Sequence, residues 1–98
     1  MFGTIGHARL KPGARAQLQS LMDDWTATIR PKTPGSFVNL IGNAAGRPDD
    51  LVFLALAQDE ATYRALAALP EQDAWYRRMA ALLEGDVRWE DVEMEQAD

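Results

Sequence analysis

Apolar positions along this chain switch between a period of two and a period of three to four, and the switches predict its elements. Phe2 to Leu10 alternates, with Ile5, His7 and Arg9 on one side of a strand and Thr4, Gly6, Ala8 and Leu10 on the other. The second set is small near its middle, which leaves room for a bulky group above it. Lys11-Pro12-Gly13 reads as a turn, with Pro12 pre-setting φ where a helix start needs no N–H. From about Gly13 to about Ile29 the period lengthens. Ala14, Leu18, Leu21, Met22, Trp25 and Ile29 make one helical stripe, and Gln17, Gln19, Ser20 and Asp23 take the outer face. The run Arg30 to Gly35 carries Pro31 and Pro34 and stops the helix.

Two strands follow, Ser36 to Asn43 and Leu51 to Gln58, joined by a predicted hairpin loop over Ala44 to Asp50. Leu51 to Ala57 shows no alternation, and Ser36 to Asn43 is broken mainly by Asn39. Strands that are apolar throughout are buried on both faces. Asp59 is a natural N-cap for a helix over Glu60 to Leu69, which Pro70 breaks. Glu71 to Leu83 forms a second helical piece with Trp75, Met79, Leu82 and Leu83 as its stripe, and Gly85 suits a C′ cap. Val87 to Met94 alternates again as a charged strand, the signature of a sheet edge or a subunit contact, and Glu95 to Asp98 is a solvated tail.

The order β-α-β-β-α-β is that of a ferredoxin-like α+β sandwich. One such chain has helices enough for one face of its sheet only. A homodimer that buries the second face, giving a dimeric α+β barrel, resolves the two-sided apolar strands. The 98 residues make one domain, 1–98, with a modest core of the kind a partner subunit often completes.

Composition narrows the chemistry more than it defines it. A net charge of -5 opposes general nucleic-acid binding, which needs clustered Lys and Arg. The absence of cysteine removes disulfides, thiolate catalysis and Cys-based zinc sites. No basic n-region precedes an apolar stretch, and the longest apolar run, Leu51 to Ala57, is far too short to span a bilayer, so the expectation is a cytoplasmic protein without membrane association.

The chain resembles the antibiotic biosynthesis monooxygenase family over nearly its whole length. The resemblance rests on the first strand running into Leu10-Lys11-Pro12-Gly13, on Pro34-Gly35 before the second strand, on the step from the third strand into Asp59-Glu60-Ala61, and on Asp73-Ala74-Trp75-Tyr76 before the last strand. It implies sheet-to-sheet dimers with a pocket between each sheet and its helices. It also implies oxidation of aromatic polyketide intermediates without metal or flavin, or else binding and degradation of haem. This chain departs from the family at Ala57-Gln58 and Ala67-Ala68, where a Trp and a His often stand. Gly6, Leu66 and Tyr76 fall near the places where haem-degrading members carry Asn, Trp and His, so the haem activity is not expected.

Among candidate residues, His7 is the only histidine and could serve as a base near neutral pH, but its strand face should point to the dimer interface. A single histidine is a poor start for a metal site, and none is expected. Asn39 is an amide in an apolar strand. It either orients a substrate carbonyl or bonds across the dimer. Trp25, Tyr63, Trp75 and Tyr76 lie on helices that should roof the sheet, and such aromatics suit a flat aromatic ligand. Plain core packing is the competing role for Trp25 and Trp75, whereas the hydroxyls of Tyr63 and Tyr76 make those two better pocket residues. Arg77-Arg78 reads as a solvated helix face beside Glu71 and Asp73.

The combined expectation is a cofactor-independent monooxygenase acting on a small aromatic or quinone-like substrate, needing no cofactor. Tyr63, Tyr76, Asn39 and His7 are its catalytic candidates, and Trp25, Tyr63, Trp75 and Tyr76 line the substrate site. The alternative is a non-catalytic ligand-binding or structural homodimer of the same fold.

Overall fold

A computed structural model of the chain describes residues 1–33 and 35–97; Pro34 and Asp98 lie outside the described residues. Four strands, β1 (Phe2–Leu10), β2 (Phe37–Ala44), β3 (Arg47–Ala57) and β4 (Leu83–Glu93), form one antiparallel sheet in the order β2-β3-β1-β4. Helices α1 (Arg15–Thr28), α2 (Glu60–Ala67) and α3 (Pro70–Ala80) connect them, giving a ferredoxin-like α+β arrangement. The charged strand β4 is an edge, as its composition predicts.

Each helix forms where its sequence permits, and the boundaries shift for local reasons. Helix α1 begins at Arg15 rather than Gly13, because Gly13 takes a left-handed φ of 79° that no helix accepts. Its stripe Ala14, Leu18, Leu21, Trp25 and Ile29 is buried against the sheet as expected, and a single 3-10 turn at Arg30–Lys32 closes it. Asp59 caps α2 by accepting a hydrogen bond from the Thr62 N–H at 2.7 Å. That bond holds the Asp59 carboxyl below the usual carboxylate range. Pro70 does end the preceding helix, but it also opens α3 as that helix's first residue, where a missing N–H costs nothing.

Two expectations about loops need correction. The seven-residue hairpin loop contracts to a turn at Ala45-Gly46, with Gly46 at φ 78°. Strand β3 therefore starts at Arg47, and Asp50 steadies the extension through Arg9 at 2.8 Å and Arg47 at 3.1 Å. Gly85 is not a helix cap. Helix α3 stops at Ala80, β4 is already under way at Leu83, and Gly85 at φ 75° falls in an irregularity of the β1–β4 ladder between the pairs His7–Arg88 and Arg9–Glu84.

The register fixes which side chains share a face. On the helix side, Thr4 stands beside Ala55 and Asp91, Gly6 beside Phe53 and Trp89, and Asn39 beside Ala55. The core lies between this face and α1 to α3, around Leu10, Leu18, Leu21, Leu51, Leu66 and Met79. On the other side Ile5, Val38, Leu40, Val52, Leu54 and Leu56 form an aliphatic field with no helix over it; Leu40 is 59% and Val38 45% exposed. Among the described residues no helix is long and apolar enough to cross a membrane.

Candidate functional site

Strand β1 has no bulk at its middle, and this is what shapes the helix side of the sheet. Gly6 carries the indole of Trp89 and the ring of Phe53 directly above it; a Cβ there would come within 2.6 Å of Trp89 Cζ3 and 2.9 Å of Phe53 Cδ2. Trp89 is in turn stacked obliquely on Phe53 (centroids 6.3 Å apart) and on Tyr76 of α3 (5.8 Å). Between this aromatic wall and helices α1, α2 and α3 lies a cavity of about 440 Å³, a volume in the range of small-molecule sites. Every aromatic residue of the chain except Phe2 lines it.

Five of the six predicted site residues meet here: Trp25, Asn39, Tyr63, Trp75 and Tyr76. Asn39 faces the helices along with Phe37 and Ile41, so the strand's alternation keeps its amide from hydrogen-bonding across the opposite face. The two helix tryptophans combine both proposed roles. Trp75 is buried and donates its indole N–H to the Leu21 carbonyl at 2.6 Å, which ties α3 to α1. Trp25 donates to Gln72 Oε1 at 2.8 Å and packs on Phe37 at 5.7 Å. Their polar atoms are spent within the protein, and what they offer the cavity is ring surface.

Tyr63, Tyr76 and Asn39 differ. Among the described residues, none of these three side chains takes a hydrogen-bond partner, so their polar groups are available to a guest. Burial pushes the Tyr63 hydroxyl up from its ordinary pKa, the negative charge of Asp91 adds to this, and the Arg64 guanidinium opposes it. Tyr63 therefore keeps its proton at any physiological pH and can only donate or accept as a neutral phenol.

His7 stays apart from this group. It is exposed on the opposite face, in a separate hollow beside Arg9, Arg47 and Arg88. The chain's one histidine cannot reach the aromatic cavity through the sheet, and of the three haem-related positions Gly6 lies under Trp89 while Leu66 and Tyr76 form part of the lining. Among the described residues no three His, Asp or Glu side chains are grouped to hold a metal ion.

No protein-family model matches the sequence, and no curated protein matches it in sequence. Solved structures do match in shape. A candidate antibiotic biosynthesis monooxygenase from Caulobacter crescentus CB15 superimposes with a TM-score of 0.82 at 14% identity, over 97% of this chain and 90% of that one. An antibiotic biosynthesis monooxygenase gives 0.77 at 17% identity, over 98% and 100%. SnoaB, a cofactor-independent oxygenase from Streptomyces nogalater, gives 0.77 at 20% identity, over 98% and 94%. The chain has the fold of the antibiotic biosynthesis monooxygenases.

At such identities the monooxygenase fold carries architecture, and chemistry has to be argued from this chain's own side chains. Four of those escape the sequence pattern: Trp89, Gln72, Asp91 and Asp73, the last of which reads there as part of a solvated helix face. Trp89 reads there only as an alternating residue of a charged strand, yet it forms the outer wall of the cavity and remains 45% exposed. Gln72 and Asp91 also reach the lining, one from the first turn of α3 and one from β4. The signal for Trp89 was present as the side-chain gap at Gly6. Linking the two requires the β1–β4 register, which no local pattern supplies.

Proposed function

We propose that the chain is an antibiotic biosynthesis monooxygenase-like enzyme that oxygenates a small aromatic or quinone-like substrate in the aromatic cavity without metal, flavin or nicotinamide. The observation that carries this reading is the combination of ring-surfaced walls with uncommitted polar groups on Tyr63, Tyr76 and Asn39, in a fold shared with a cofactor-independent oxygenase. The rings would sandwich a flat substrate and exclude water from it. The substrate's own enolate would react with oxygen. In the overall conversion of an anthrone-type ring, one oxygen atom becomes the new carbonyl and the other leaves as water, with the two hydrogens coming from the substrate carbon. The substrate supplies all four electrons, so no external reductant enters. A phenol that keeps its proton is suited to donate a hydrogen bond to the developing oxyanion, which is the part assigned to Tyr63 and Tyr76. Asn39 would orient the substrate carbonyl.

The same proposal includes a homodimer through the open sheet face. Val38 and Leu40 are exposed there and lie beside Leu54 and Ile5, and a contiguous apolar patch of this kind, unlike scattered apolar residues, is what a second copy would bury.

One observation favours a non-catalytic ligand-binding dimer instead: among the described residues the cavity lining holds no histidine, and Ala67, at one of the two places where the chain departs from the family, lines the cavity with a methyl group only. Turnover decides between the two. With anthrone as substrate, oxygen uptake should proceed without added metal or flavin and should survive chelation. Tyr63→Phe or Tyr76→Phe should slow it roughly 10- to 1000-fold. Uptake no faster than the protein-free rate, with anthrone still bound, would support the non-catalytic reading.

A further inference from the structure

The formal charges in the lining are all of one sign. Asp73 and Asp91 reach the cavity, and among the described lining residues there is no Lys, Arg or His. The two carboxylates are unequally compensated. Asp73 has Arg77 at 3.1 Å, one helical turn away. Asp91 has Arg64 only at 4.0 Å, with both side chains more than half exposed, so the pair is solvent-screened and Arg64 neutralises little of the carboxylate. The Arg64 guanidinium is instead drawn over the rings of Phe2 and Tyr63, 5.3 and 5.5 Å from their centroids. Asp91 also bears on a neighbour: burial raises the Tyr63 hydroxyl and the Asp91 charge adds to that, against Arg64. Aromatic faces present the negative side of their quadrupoles to whatever lies over them, which adds to the same field.

From this we infer that the cavity selects ligands by charge, and that its preferred occupant is a flat aromatic ring system bearing a protonated amine. This rests on the cavity being a ligand site, as proposed above, and it names the class of ligand. A carboxylated ring would meet like charge from Asp91 and repulsion from the ring faces. A neutral ring would gain stacking alone. A ring with an ammonium group would gain stacking, a cation–π contact and an ion pair at the cavity mouth. The amine would have a second consequence for oxygenation. Asp73 and Asp91 disfavour a developing enolate, and a cation carried by the ligand would offset them.

Three anthracene probes substituted at one ring position test this, namely the aminomethyl, methyl and carboxylate compounds, titrated against the whole protein by quenching of tryptophan fluorescence. Affinity should fall in the order aminomethyl, methyl, carboxylate, by roughly tenfold at each step at low salt, and the spread should narrow as salt is added. Asp91→Asn should shrink the ratio of aminomethyl to carboxylate affinity by roughly tenfold; Asp73→Asn should shrink it less, because Arg77 already engages that carboxylate. Thermal melts of both variants establish that they remain folded. A carboxylate probe that binds as tightly as the aminomethyl one overturns the inference, as does a ratio that neither variant moves. Failure of all three probes to bind overturns the ligand site itself. Binding in the expected order with no oxygen uptake on anthrone leaves the charge preference standing and removes only the oxygenase reading.

Discussion

The two faces of this sheet are built from the same four strands and are both apolar, yet they differ in kind. The helix side is concave and aromatic, and its free polar atoms converge on a space of about 440 Å³. The open side is aliphatic, carried by Ile5, Val38, Leu40, Val52, Leu54 and Leu56. Aliphatic side chains on a pleated surface match another such surface and offer a small molecule nothing to orient it. Rings around a hollow with a few hydrogen-bonding groups do the reverse. Hydrophobicity alone does not separate the two. Residue type and the missing side chain at Gly6 do.

The sharpest way to break the contrast is to put a charge on the open face. Leu40→Asp should leave the subunit folded, because Leu40 is already 59% exposed in the single chain. It should raise the dimer dissociation constant by roughly 100-fold or more, since the partner would bury an unpaired carboxylate. Sedimentation of the variant beside the parent protein checks it, and an unchanged mass distribution would remove the open face as the interface.

Filling the gap in β1 attacks the other face. Gly6→Val places carbon where the indole of Trp89 and the ring of Phe53 now sit, so the aromatic wall must move. The expected cost is about 1–3 kcal/mol in urea denaturation, with loss of anthracene binding and little change in dimer affinity. Trp75→Phe should cost about 1–2 kcal/mol by removing the buried indole bond to Leu21. Tyr76→Phe, which removes a hydroxyl without a protein partner among the described residues, should be close to neutral in the same assay.

A smaller effect concerns pH. The bond from Thr62 holds the Asp59 carboxyl low in the folded state, so the unfolded chain binds that proton more readily. The stabilisation by this cap is complete above the usual carboxylate range and is lost as pH falls through the lowered folded value. The melting-temperature gap between the parent protein and Asp59→Ala should therefore be largest near neutral pH and close as the solution is acidified. A gap that widens on acidification would contradict the capping account.

How much of this was legible in the chain depends on how local each determinant is. Strand β1 could be bounded at Phe2 and Leu10, because alternation is a nearest-neighbour pattern, and the Asp59 cap is a four-residue device. Gly85 reads as a cap in the sequence because a glycine after a helical run can equally serve a bulge, and only the β1–β4 ladder distinguishes them. The hairpin loop reads as longer than it is because Asp49 and Asp50 look like loop residues until Arg9 on the neighbouring strand is placed beside Asp50. For the site, the helix aromatics and Asn39 were legible from their positions on periodic elements. Trp89 and Asp91 were not, since their part in the cavity depends on long-range pairing with Gly6 and Thr4.

The division of labour between the faces can be read in one experiment. All three tryptophans of the chain, Trp25, Trp75 and Trp89, line the aromatic cavity, so their indole N–H resonances report on that face alone, while the methyl groups of Leu40 and Leu54 report on the other. Titrating the protein with an anthracene probe while recording both sets of NMR signals should move all three indole resonances and leave those methyl groups in place. Methyl signals that move while the indoles stand still would mean that the ligand face has been assigned to the wrong side of the sheet.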